Sequence, residues 1–149
     1  MDEDSRISML GADALAELLP HGAGMSMLDE VVTWDDAKVH CRTRSHRRGD
    51  NPLLANGAQQ SILLVEYAAQ AAAVHAGLLQ SQLGEARPAY VGAVKNIEIC
   101  QPTLPESDDP LDVVVTAEYL SQDGAIYRFD IDCVAERVIS GRLILSQPS

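Results

Sequence analysis

Positive charge is scarce in this chain. Its 149 residues carry 11 Lys+Arg against 22 Asp+Glu. Nucleic-acid affinity needs a cationic surface, so a general nucleic-acid binder is excluded. A polybasic membrane anchor is excluded on the same ground, and most of the acidic excess serves solubility. Aromatic residues make up only 4% of the chain, with a single Phe, Phe129, which argues against a stacking site. Cysteine is limited to Cys41, Cys100 and Cys133. They are far apart, form no C-x-x-C pair and lie in strand-like runs, so they read as core thiols rather than ligands or disulfides. There is no metal-ligand cluster and no glycine-rich dinucleotide loop, so no metal or redox cofactor is implied. The opening MDEDSRISML lacks a basic stretch followed by an apolar one and reads as no secretion signal. A cytoplasmic, reduced setting is expected, with no membrane span. Repeats and low-complexity segments are also missing.

What is there suits one domain over residues 1–149, with 1–8 polar and expected to fray. Asp13 to Leu19 has helical spacing and stops before Pro20. Met27 to Trp34 and Lys38 to Ser45 read as strands around the turn WDDA. The loop GDNPLLANG leads into a long helix expected from Gln59 to Gln82, ending near Gly84. Four strand-like segments follow: Ala89 to Cys100, Leu111 to Leu120, Ala125 to Ala135, and Val138 to Ser146. In the third, Tyr127, Phe129, Ile131, Cys133 and Ala135 share one face, against Arg128, Asp130 and Asp132 on the other. The order is α+β. A helix with no polar face must be wrapped on all sides. An antiparallel sheet curled round it, with a partner subunit over the rest, is the simplest packing.

That helix reads ILLVEYAAQAAAVHAGLL, Ile62 to Leu79, and it carries a carboxylic acid. A buried ionised carboxylate costs several kcal/mol unless it is paired or protonated. Glu66 and Gln70 lie one turn apart on one face, and Gln59 is expected on the same stripe. Such a stripe can line a polar pocket or form a structural hydrogen-bonded pair, and spacing does not separate the two. His75 falls on the opposite side and reads as a satisfied packing histidine. The small and polar run ANGAQQS, Ala55 to Ser61, opens the helix. Free amides there can polarise a carbonyl, or Asn56 or Ser61 can simply cap. His21, in LLPHGAGMSMLDEV, follows a helix terminator. RTRSHRR, Arg42 to Arg48, holds a cluster of cations that suits an anionic partner or a solvated strand edge.

Together these features resemble the hotdog-fold 3-hydroxyacyl-acyl-carrier-protein dehydratases. LLPHGAGMSMLDEV looks like that family's L-P-H-R-x-P-x-x-L-x-D-R-V opening, and VEYAAQAA like its E-A-M-A-Q-A helix. GRLILSQP is similar to the closing strand of the branch found in aryl-polyene-type gene clusters. The resemblance spans nearly the whole chain. It implies a hotdog fold, an antiparallel sheet around one central helix. It implies Glu66 as the helix acid, Gln70 as the following amide, and a polarising amide near Ser61, with Asn56 and Gly57 beside the substrate. The loop histidine of the family is missing, because the corresponding region reads DNPLLANGAQQ. His46 would need a rearranged loop to serve. Losing a positioned general base costs about 10²–10⁴ in rate. His21 is the leading substitute, since the family's L-P-H segment lines the acyl tunnel.

The implied activity is dehydration of a 3-hydroxyacyl thioester on acyl carrier protein to the trans-2-enoyl form, in a fatty-acid-like or polyene pathway. The implied partners are acyl carrier protein, with its phosphopantetheine-linked acyl chain, and a second copy in a homodimer. Arg42, Arg44, Arg47 and Arg48 are the expected carrier contacts. Two rival readings are a hotdog thioesterase using Glu66 or Asn56 to activate water, and a catalytically silent acyl-thioester-binding subunit of a hetero-oligomer.

Overall fold

A computed structural model describes residues 27–57, 59–82 and 90–146. The expected helix at Asp13 to Leu19, the frayed terminus and His21 lie outside the described residues. Six strands, β1 (Glu30–Trp34), β2 (Lys38–Thr43), β3 (Tyr90–Ile99), β4 (Leu111–Leu120), β5 (Gly124–Cys133) and β6 (Glu136–Ser146), form one sheet. Every neighbouring pair is antiparallel, in the order β1-β2-β4-β5-β6-β3. The helix α1 (Leu64–Gln82) is entered through a 3₁₀ turn, Ser61–Leu63. It packs against β2, β4 and β5.

Alternation explains which sheet face meets the helix. Val39 and Cys41 of β2, Leu111, Val113 and Val115 of β4, and Tyr127, Phe129 and Ile131 of β5 are fully buried. Their neighbours along each strand are half-buried or exposed. Each large side chain so buried contributes about 1.5–3 kcal/mol. Phe129 sits opposite Gly141, where an added Cβ would approach its ring to 2.9 Å. The glycine therefore leaves the space the aromatic ring fills.

Ser61–Gln80 is long and apolar enough to cross a membrane. Here the sheet supplies the apolar surroundings: Tyr67, Ala68, Ala71, Ala72, Val74 and His75 are buried. The burial is not all round, however. Ile62 is 44% exposed, and Val65, Glu66 and Ala69 are half-buried along the same face.

Three expectations need correction. The strand ending at Ala135 stops at Cys133, because Val134 and Ala135 adopt left-handed φ angles of 51° and 64° and make the two-residue turn into β6. Ala135 is exposed there, not on the core face. Cys41 and Cys133 are buried thiols, but Cys100 is exposed. It follows the edge strand β3, whose pairing is interrupted by two bulges and whose Val91, Val94 and Ile99 are also exposed. Gln59 is not on the helix at all.

Candidate functional site

The start of the helix is laced to the loop after β3. Gln59 accepts from the Leu104 amide at 2.8 Å, Gln60 bridges Thr103, and the Ser61 amide donates to the Pro102 carbonyl at 2.9 Å. The Ser61 amide is therefore occupied, contrary to the expectation that it is free to polarise a carbonyl. Its hydroxyl is fully buried with no partner among the described residues. The polar stripe shrinks to Glu66 and Gln70, with Gln59 exposed and off the helix. Asn56 and Gly57 end the 3₁₀ turn Pro52–Gly57, where Gly57 has a φ of +76°.

Glu66 stands in the first turn of α1, where the helix dipole favours negative charge. Gln70, 5% exposed, donates through Nε2 to Glu66 Oε1 at 3.4 Å. Its own Oε1 accepts from the Met27 amide at 2.7 Å. The Met27 carbonyl in turn accepts from Thr43 Oγ1 and Ser45 Oγ, both at 2.6 Å. Ser45 Oγ is hydrogen-bonded to the Tyr67 hydroxyl at 2.9 Å, and Asn51 Nδ2 donates to that hydroxyl at 2.8 Å. Burial pushes the Tyr67 phenol up, which the Ser45 and Asn51 hydrogen bonds only partly offset, so it stays protonated. This network of Met27, Thr43, Ser45, Asn51 and Tyr67 was not legible in the sequence. The only trace is a pair of hydroxyls spaced two apart at the end of a strand.

The histidines separate clearly. His75 Nδ1 is 2.7 Å from the Tyr127 hydroxyl and Nε2 is 2.8 Å from the Asp35 carbonyl, so both ring nitrogens are satisfied. It is a structural residue, as its position on the helix implied. His46 lies in the 3₁₀ turn Ser45–Arg47, 3% exposed, and neither ring nitrogen has a partner among the described residues. Burial, aided by the charge of Arg47 and opposed by Asp108 and Asp29, pushes it down to about 4.

The cationic cluster is interleaved with acids. Arg48 binds both oxygens of Asp29, at 2.6 and 2.8 Å. Burial raises the Asp29 carboxyl, but Arg48 and the Arg44 amide outweigh it and hold the group below the usual carboxylate value. Arg42 pairs with Asp112 at 3.0 Å, and Arg44 Nε donates to the Asp108 carbonyl at 3.1 Å. Arg47 reaches Asp108 at 3.6 Å, and that acid is 97% exposed. Arg42, Arg44 and Arg48 line an open cleft of about 350 Å³ with Asp29, Glu30 and Thr43, while Arg47 lies outside it. Among the described residues no group of three or more His, Cys, Asp or Glu side chains could hold a metal ion.

A six-stranded antiparallel sheet packed on one long helix, with an acid in the helix's first turn, defines a hotdog-fold protein. Residues 13–149 match the ApeP-like dehydratase family, described as ApeP dehydratase, and the chain belongs to that family. Among solved structures it is similar to the dehydratase heterocomplex ApeI:P from Xenorhabdus doucetiae. There the identity is 24% over 94% of this chain and 92% of that one, with a TM-score of 0.81. It is also similar to the E. coli PaaI protein from the phenylacetic acid degradation operon, 15% identical over 80% of this chain and 78% of that one, TM-score 0.57. A thioesterase from Shewanella oneidensis gives 10% identity over 80% and 82% of the two chains, TM-score 0.55. At these identities the likeness to solved structures establishes the fold alone. No match is found among curated proteins.

Proposed function

We propose that this dehydratase-family protein takes 3-hydroxyacyl thioesters carried on acyl carrier protein to trans-2-enoyl thioesters, in fatty-acid-like or polyene biosynthesis. The observation that carries the reading is Glu66, half-buried in the first helical turn with one oxygen held by Gln70. In this scheme His21 removes the proton α to the thioester carbonyl. Glu66 is the acid that delivers a proton to the leaving β-hydroxyl. The C–O bond breaks, the α–β double bond forms, and water departs. Few aromatics suit an aliphatic acyl tunnel. Asn56 and Gly57 are proposed to face the substrate, since they end the turn that leads to the helix. A second subunit is proposed to cover the part-exposed face of Ile62, Val65 and Ala69. Of the arginines, Arg44 and Arg47 are proposed as the main carrier contacts, because exposed and loosely paired cations give up little on meeting an anion.

A second reading has support of its own. The loop before the helix has no histidine, and the similar Xenorhabdus structure is a heterocomplex by its description. The chain would then be an acyl-binding subunit that is silent alone and active beside a different partner. Turnover of a 3-hydroxyacyl thioester on acyl carrier protein tests both, with the protein alone and with candidate partner subunits. Enoyl thioester from the protein alone supports the first reading. Enoyl product only with a partner supports the second, and free acid with released thiol would replace both with a thioesterase.

A further inference from the structure

We propose that Gln70 is a positioning residue that holds Glu66 and the chain at Met27 in one fixed relation, rather than a substrate contact. The proposal rests on Glu66 acting in turnover. The chemistry of the amide decides its orientation. A backbone N–H can only donate, so the group facing the Met27 amide must be the Gln70 carbonyl oxygen, at 2.7 Å. The amide nitrogen is thereby turned toward Glu66 Oε1, at 3.4 Å, and it can only donate. One oxygen of Glu66 is held by Gln70, and the other has no hydrogen-bond partner among the described residues. With its carbonyl oxygen on Met27 and 5% exposure, Gln70 offers an acyl chain little surface.

The Met27 end of this link is itself fixed. Thr43 and Ser45 both donate to the Met27 carbonyl, and the Tyr67–Asn51 pair holds Ser45. The Thr43 hydroxyl at the end of β2, the Ser45 hydroxyl in the turn after it and one helix amide thus grip the chain on either side of the Met27 α-carbon. The grip holds Met27 against the helix one turn after Glu66. Gln70 is the side chain that joins the grip to the acid.

Three substitutions test this in the full chain, with Glu66→Gln as control. Gln70→Leu removes the hydrogen bonds to Met27 and Glu66 at similar volume. Gln70→Glu keeps an acceptor for the Met27 amide but loses the donor to Glu66. Thr43→Val loosens the Met27 carbonyl without touching Glu66. The readouts are Met27 amide hydrogen exchange and the separate kcat and KM values. Gln70→Leu should speed Met27 exchange at least about tenfold, since a buried hydrogen bond is lost. Gln70→Glu should keep Met27 protected while kcat falls by about tenfold to a hundredfold with KM nearly unchanged. Thr43→Val should speed Met27 exchange less than Gln70→Leu does. Wild-type kcat in Gln70→Glu, alongside a Glu66→Gln that is inactive, would overturn the proposal. So would equal Met27 protection in Gln70→Leu and wild type. If Gln70→Leu fails to fold, Gln70→Glu alone decides. Full turnover in Glu66→Gln would instead remove the functional reading beneath it, and the Met27 exchange would still report whether the clamp exists.

Discussion

The two ends of α1 are built to different standards. Toward its C-terminal half, His75 is fully buried and both ring nitrogens are satisfied, by Tyr127 on β5 and by the Asp35 carbonyl in the β1–β2 turn. Toward its N-terminal half, Glu66 is half-buried, Ile62 is exposed, and the buried Ser61 hydroxyl has no partner among the described residues. Nearby chain carries His46, buried with no partner for either ring nitrogen among the described residues. Buried polar groups are normally hydrogen-bonded, and departures call for an explanation. The closed end serves the fold. The open end carries the acid, and that is where a substrate or second subunit would complete the surface.

Breaking the closed end should have the largest effect on stability. His75→Ala leaves the buried Tyr127 hydroxyl and the part-buried Asp35 carbonyl without their partner, and it opens a cavity. The expected loss is about 2–5 kcal/mol, read from urea unfolding midpoints. A loss below about 1 kcal/mol would mean that the two ends do not differ as described.

His46 sharpens the comparison through pH. Its folded-state value of about 4 lies below the ordinary 6.5. The folded protein therefore binds fewer protons at this site than the unfolded chain does. The stability that comes from keeping it neutral is fully present above about 6.5 and is lost as pH falls toward 4, by at most about 1.4 kcal/mol per pH unit. His75, also pushed down by burial, adds in the same direction. Unfolding midpoints measured between pH 7.5 and 4.5 should fall in wild type and fall less steeply in His46→Gln.

The smallest effect belongs to Arg47. Its 3.6 Å pair with a 97% exposed Asp108 is screened by water. Arg47→Ala should move stability by less than about 0.5 kcal/mol. If it also weakens carrier-protein binding, measured at low salt, the proposed carrier contact gains support.

The sheet was legible in the sequence because its strands alternate, and Leu111 to Leu120 emerges with the expected bounds. The long helix was legible from its apolar run, and His75 from its place opposite Glu66. The turn at Val134 and Ala135 was not, because neither residue is the Gly or Asn that normally takes left-handed φ. An L-residue there is strained by about 1–2 kcal/mol, and nothing local announces it. Gln59 was misplaced on the helix because its backbone is committed to Leu104, a distant partner that helical spacing cannot reveal. The Met27 clamp was hidden for a similar reason. Its central groups are a backbone amide and carbonyl, which every residue possesses. Gln70 was visible as Glu66's neighbour, but its bond to the Met27 amide, on which its proposed supporting role rests, was not.

The central claim is that the open end of α1 acts while the closed end only holds. Glu66→Gln, with kcat on a 3-hydroxyacyl thioester and the urea midpoint measured on the same preparation, tests it most directly. Glu66→Gln should lose about 10²–10⁴ in kcat with the midpoint nearly unchanged. Wild-type kcat with a lowered midpoint would contradict it, and would make Glu66 a structural partner of Gln70 and nothing more.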